Sequence, residues 1–195
     1  MIARTLRSVL LGAVVLLGLP AAAGEPVTDF TLRDVNGKRV QLADYKGKVV
    51  LLSFWATWCG PCKVEMKHLD RFQRELRDEG FEVLSISSDD ARTASQAKRY
   101  VKQKRFDFTV LLDTDATVTG TYNPNKTLPY GVLIGRDHRI AKIYSGYNPG
   151  DEERLLADIK GELDPSSKPV KTKGGSKGDS ESPAKEPASS KETSG

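Results

Sequence analysis

Cysteine and histidine are the scarcest reactive residues of this 195-residue chain, with two of each. Two cysteines exclude a disulfide-stapled miniprotein and a four-cysteine zinc site. An excess of charge is also missing where a fold could form. The formal net charge is +4, but it sits at the ends. Arg4 and Arg7 lie in the first ten residues, and Pro165 to Gly195 holds six lysines against four acids. Residues 24–164 are therefore neutral overall, which argues against a nucleic-acid partner recognised by charge. Long apolar runs are absent too. The longest, Ser8 to Leu19, is about a dozen residues, against about 20 for a spanning helix. Apolar side chains nearly vanish after Asp164, with only Val170, Ala184 and Ala188 to the C-terminus. Such a segment cannot offset its ordering entropy by burial, so 165–195 is expected to be a disordered Ser/Lys/Pro/Gly-rich tail.

What is present at the N-terminus reads as an export signal. Arg4 and Arg7 precede the apolar run, Pro20 breaks it, and Ala21-Ala22-Ala23 offers a small-residue cleavage site before Gly24. The arginines are not adjacent, so no twin-arginine signal is indicated. No cysteine follows the cleavage site to carry a lipid. The expected organisation is a signal peptide at 1–23, one domain at 24–164 and the tail. The protein is expected to be exported, and periplasmic in a Gram-negative cell; a membrane anchor formed by an uncleaved signal is the lesser alternative. The tail is a solvated spacer or a weak contact to an anionic cell-envelope surface.

The 141 residues of the central segment suit one domain that buries about two-thirds of its unfolded surface. Phe30, Leu32, Val40 and Leu42 alternate around Asn36-Gly37, predicting a short hairpin. Val49 to Trp55 is nearly unbroken apolar sequence, as in a strand covered on both faces. Met66, Leu69, Phe72 and Leu76 recur at helical spacing and predict a helix from about Gly60 to Asp78, ended by Gly80. Phe81 to Ser87 is a second buried strand. Asp89 and Asp90 are expected to begin a helix running to about Lys104. A short strand from Phe108 to Leu112, a brief helix ending near Gly120, a hairpin of Tyr130–Ile134 with Ile140–Tyr144, and a helix capped by Gly150-Asp151 complete the pattern. Strands alternating with helices give an α/β sheet with helices on both faces.

Trp58-Cys59-Gly60-Pro61-Cys62 lies between a buried strand and a helix start. Free N–H groups and the helix dipole there favour a negative charge, and the thiolate is the attacking species. Lowering a thiol from about 8.5 to about 7 raises the thiolate from a few per cent to half at neutral pH, a difference of about 2 kcal/mol. Pro61 falls in the first turn, where its missing N–H is tolerated. Cys62 follows closely enough to displace a mixed disulfide formed by Cys59. The rival readings are weaker. A disulfide closing so small a loop adds little stability. A zinc site would need two more ligands, and His68 lies almost two turns along the helix from Cys62.

At these residues the chain resembles the thioredoxin superfamily, and most closely the exported TlpA/ResA-type thiol–disulfide oxidoreductases. The resemblance spans about residues 26–163. It rests on Asp29-Phe30-Thr31-Leu32 with Asn36-Gly37-Lys38, on Gly47 through Cys62, and on Glu65 and a proline-bearing loop before Val132-Leu133-Ile134. It implies a thioredoxin fold, a central mixed sheet with helices on both faces, extended by an N-terminal β-hairpin. It implies a redox-active Cys59–Cys62 disulfide with Cys59 as nucleophile and Cys62 as resolving cysteine, and no cofactor or metal beyond that pair. Glu65 stands where reductases of this branch place an acid, on the face of Cys62, to accept its proton. Pro129 matches the cis-proline facing the disulfide, with the Leu128 backbone and Trp58 contacting the substrate. The partners implied are protein thiols and disulfides and a membrane thiol-exchange electron donor.

Departures narrow the reading. Ser53 stands where thioredoxin has a buried Asp, so proton handling must rest elsewhere. Lys67 replaces a frequent Pro. The loop before Pro129 lacks the Gly-Val-Tyr-Gly pattern of cytochrome c maturation reductants, which remain a specialised alternative. Gly-Pro between the cysteines resembles a reductant rather than a strong oxidant. A peroxiredoxin-like thiol peroxidase is the runner-up, but Ala56 and Leu52 stand where that chemistry has Thr and Pro.

Overall fold

The computed structural model describes residues 24–164 and 166. The expected signal peptide, and all but residue 166 of the tail, lie outside the described residues. The central sheet has seven strands: β1 (Thr31–Asp34), β2 (Arg39–Gln41), β3 (Val49–Trp55), β4 (Phe81–Ser87), β5 (Thr109–Leu112), β6 (Tyr130–Ile134) and β7 (Ile140–Ser145). Their spatial order is β2-β1-β5-β4-β3-β6-β7. β3 and β5 run parallel to β4, whereas β6 is antiparallel to β3, β7 to β6 and β1 to β5. The sheet is thus mixed, with the most apolar strand flanked on both sides.

β3 is buried at all seven positions. Its residues alternate between two cores, as the two-residue period of a strand requires. Val49, Leu51 and Trp55 face one core, and Val50, Leu52 and Phe54 the other. The first core is covered by α1 (Gly60–Leu76), α2 (Ala94–Lys104) and α4 (Asp151–Leu163). The second lies under α3 (Thr117–Tyr122), a 3-10 turn at Leu42–Tyr45 and the N-terminal hairpin. Helices therefore stand on both faces, three against one.

α1 carries the cysteine pair, and its placement is tightly determined. Met66, Leu69 and Phe72 are fully buried at spacings of three, and Leu76 extends the stripe. Burying each such side chain contributes about 1.5–3 kcal/mol. Gln73, buried on the same helix, accepts the Val83 N–H at 2.6 Å and so ties α1 to β4. The helix gives way to a 3-10 turn at Arg77–Glu79, and Gly80 ends it in the left-handed region at φ +94°. A Cβ at Gly80 would come within 3.0 Å of the Arg136 guanidinium, which donates to the Gly47 and Glu79 carbonyls. That clamp fixes the end of the sheet remote from the cysteines.

One element begins later than its sequence suggests. Asp89 and Asp90 are typical helix-starting residues, yet α2 starts at Ala94. Asp90 closes a turn by accepting the N–H groups of Arg92 and Thr93. The Asp89 carboxylate points away from α2 altogether and takes its hydrogen bonds from Thr57 and Ser87.

Candidate active site

β3 delivers the chain to the sheet end at which the cysteines sit, and the loop after it is short and hydrogen-bonded. The Trp55 carbonyl accepts the Ser88 N–H at 2.8 Å, and the Cys59 N–H donates to the Ala56 carbonyl at 3.0 Å. Cys59 is the N-cap of α1, and its Sγ accepts the Cys62 N–H at 3.2 Å. This is the position at which a side-chain acceptor satisfies an otherwise free helical donor. Pro61 occupies the first turn, and no acidic side chain does. The positive end of the helix dipole is therefore available to a Cys59 thiolate in the reduced state. In this structure Cys59 and Cys62 are joined as a disulfide. Cys62 is wholly buried, Cys59 is 5% exposed, and Trp58 beside it is 73% exposed. The residue preceding Cys59 is thus an exposed indole.

The Leu128–Pro129 peptide is cis. Phe54 pairs with Tyr130 across β3 and β6, so Pro129 lies one position beyond, level with the end of β3. The Pro129 carbonyl accepts the Gly146 N–H at 2.9 Å. Leu128 packs against both cores, one of which contains Cys59 and Cys62.

Glu65 follows Cys62 by three residues on the buried side of α1 and is 8% exposed. Its Oε2 is buried without a hydrogen-bond partner. Burial lifts its carboxyl to about 7; the nearby Ser53 hydroxyl tempers that rise, and the charge of Asp151 adds to it. The Ser53 Oγ is likewise buried without a well-formed hydrogen bond, so its tempering effect is modest. A gap of about 20 Å³ between α1 and the start of α4 is lined by Glu65, His68, Tyr147, Asp151 and Glu152. A volume of that size is enough for about one water molecule. The structure thus brings Cys59, Cys62, Glu65 and Trp58 together on one loop and one helix turn, with Leu128 packed against the core that holds both cysteines and Pro129 just before β6 at the same end of the sheet.

Two site residues escape a reading of the sequence. Thr57, in the loop before Cys59, and Asp89, after β4, are bound to each other across 32 residues. The one local signal is that β3 and β4, parallel buried strands, are each followed within two residues by a polar residue, Thr57 and Asp89, at the same end of the sheet. The peroxidase alternative gains nothing. Ala56 and Leu52 are buried apolar residues, and the hydroxyl of Thr57, next to Ala56, is committed to Asp89.

A profile of the family described as Redoxin matches residues 22–159. Among curated proteins, the thiol-disulfide oxidoreductase ResA of Bacillus cereus is 34% identical over 119 residues, 61% of this chain and 67% of that protein. ResA of Halalkalibacterium halodurans is 30% identical over 139 residues, 71% of this chain and 76% of that protein. Among solved structures, a candidate thiol:disulfide interchange protein DsbE from Chlorobium tepidum superposes with a TM-score of 0.67 at 33% identity. It covers 72% of this chain and 97% of its own.

Proposed function

Since the chain belongs to the redoxin family, and within it to the ResA-like thiol–disulfide oxidoreductases of thioredoxin fold, we propose that it is an exported reductase of protein disulfides. The Cys59 thiolate attacks a substrate disulfide, forming a mixed disulfide and releasing one substrate thiolate. Cys62 then gives its proton to Glu65 and attacks Cys59 Sγ. The Cys59–Cys62 bond forms, the mixed disulfide breaks, and the second substrate sulfur leaves reduced. Two electrons pass from the dithiol to the substrate, and a membrane thiol-exchange donor restores the dithiol. Trp58 and the Leu128–Pro129 backbone receive the substrate chain.

The observation that carries this reading is the buried, unpartnered Glu65 Oε2 one turn beyond Cys62. A carboxylate poised near neutral pH suits a general base working at that pH. Export is inferred from the leader, and among the described residues no helix is long and apolar enough to cross a membrane.

Trapping tests the reading. Cys62→Ser should accumulate mixed disulfides with exported proteins, and Cys59→Ser should abolish insulin reduction. The reduction potential should fall near thioredoxin's, about −270 mV; a value above about −180 mV would reverse the direction to oxidation.

A further inference from the structure

Asp89 is the most thoroughly hydrogen-bonded buried carboxylate beside the redox loop, and the exchange steps above do not use it. It is 1% exposed. Its Oδ2 accepts the Thr57 N–H at 2.9 Å and the Ser87 hydroxyl at 2.8 Å, and its Oδ1 accepts the Thr57 hydroxyl at 2.6 Å. Both donors of Thr57 are thus gripped by one side chain just after the neighbouring strand β4. Trp58 is 73% exposed, and the Cys59 N–H only closes a local turn on Ala56.

Burying a carboxylate carries a desolvation penalty, and an apolar pair of similar volume would pack as well. What an apolar pair lacks is direction. Hydrogen bonds to an ionised acceptor are short and roughly twice as strong as neutral ones. Here one holds the Thr57 backbone N–H and one its hydroxyl, two residues before the sulfur. The chemistry depends on that placement, because Cys59 Sγ lies 3.2 Å from the Cys62 N–H only while Cys59 stays at the N-cap. A small rotation of residues 57–59 would carry the sulfur off the helix end, where dipole and N–H effects decay within about one turn.

We propose that Asp89 is a positioning residue for the thiol chemistry: through Thr57 it holds Cys59 at the N-terminus of α1, where the attacking thiolate is stabilised. The proposal rests on the reading of Cys59 as the nucleophile. It separates Asp89 from a role in proton transfer, since its contacts run to Thr57 and Ser87 and not to either cysteine.

The test uses the reduced, full-length protein and follows alkylation of Cys59 by iodoacetamide at pH 6.5, read by mass spectrometry. Thr57→Val keeps the Asp89 charge, the backbone bond and nearly the same shape, and removes only the hydroxyl. It should slow alkylation about threefold to tenfold, the equivalent of half to one pH unit in thiolate formation. Thr57→Ser, which restores the hydroxyl, should alkylate within about twofold of the unmodified protein. Asp89→Asn should also slow the reaction. A Thr57→Val protein that melts earlier yet alkylates at the unmodified rate would overturn the proposal, leaving Asp89 a purely structural anchor. An Asp89→Asn protein that alkylates faster would also overturn it, because the carboxylate would then act by repelling the thiolate. If Asp89→Asn does not fold, the Thr57 pair decides alone. Alkylation needs no disulfide substrate. Loss of insulin reduction with these alkylation rates intact would therefore count against the proposed function and not against this assignment. In the unmodified protein, faster alkylation at Cys62 would instead sink the nucleophile reading.

Discussion

Glu65 and Asp89 are both acidic, both at least nine-tenths buried and both tied to the segment that carries the cysteines, yet the fold treats them oppositely. Asp89 is met by two hydroxyls and a backbone N–H. Glu65 has one oxygen with no partner, and its carboxyl rises to about 7, chiefly through burial. A buried carboxylate whose two oxygens both have partners serves as a fixed anchor. An unsatisfied one is balanced between two protonation states and can exchange a proton near neutral pH. On the proposed mechanism, the site pairs a positioning contact on the β3–β4 side with a proton acceptor on the α1–α4 side. Thiol exchange needs both: a sulfur held in place, and somewhere for the second thiol's proton to go.

The most damaging way to break this contrast is to remove the anchor. Asp89→Ala would strand the Thr57 N–H, the Thr57 hydroxyl and the Ser87 hydroxyl, in a site with 1% exposure at its centre. Each unsatisfied buried donor costs about 1–3 kcal/mol, with some relief from rotation and entering water, so a loss of about 4 kcal/mol is expected in urea unfolding. A loss below about 1 kcal/mol would show that the loop re-pairs readily and that Asp89 holds nothing.

Removing the proton site should act more gently and with a different pH signature. Glu65 binds its proton more tightly folded than unfolded, with a folded value of about 7 against 4.5. Between those values the native state holds more protons than the unfolded chain, so stability falls as pH rises through the window and levels off above pH 7. The shift corresponds to about 3 kcal/mol at its limit. Glu65→Gln should abolish that slope, so the variant gains on the unmodified protein between pH 5 and pH 8 by up to about 3 kcal/mol. It should also slow closure of the Cys59–Cys62 disulfide, measured with a preformed mixed disulfide. Parallel stability curves for the two proteins across that range would show that Glu65 is not the titrating group.

The two carboxylates also differ in how far the sequence discloses them. Glu65 stands on the same helix as Cys62, three residues on, and helical periodicity alone places both on one face. The strands and helices around the motif are equally legible, because β3 and α1 carry the apolar patterns of their own periods. Asp89 is hidden for a physical reason. Its partner is 32 residues away, and Asp-Asp before an amphipathic stretch has the local chemistry of a helix cap. Local preference assigns that role to both; the structure gives the turn to Asp90 and turns Asp89 toward Thr57. The exposure of Trp58 is implied by the family resemblance and not by local pattern, because an indole beside a core strand packs inward or outward according to neighbours that come from other elements. Parity along β3 does place Ser53 with Leu51 and Trp55, on the face covered by α1.

That placement makes Ser53→Ala the mildest and sharpest probe of the contrast. Ser53 is 1% exposed in the middle of β3, and its Oγ has no well-formed hydrogen bond. Removing an unpaired buried hydroxyl leaves a void smaller than a methyl group and relieves a desolvation penalty, so at pH 5, with Glu65 protonated, stability should change by less than about 1 kcal/mol. At pH 8 the balance differs. The ionised carboxylate loses the one neighbour that holds its pKa down, so the charged form becomes harder to bury. The drop in stability from pH 5 to pH 8 should therefore be steeper in Ser53→Ala than in the unmodified protein. The midpoint of the Glu65 carboxyl, followed by carbon-13 NMR, should move upward from about 7. A downward move would mean that Ser53 burdens the carboxylate instead of supporting it, and a midpoint that does not move would locate the control of Glu65 wholly in its burial and in Asp151.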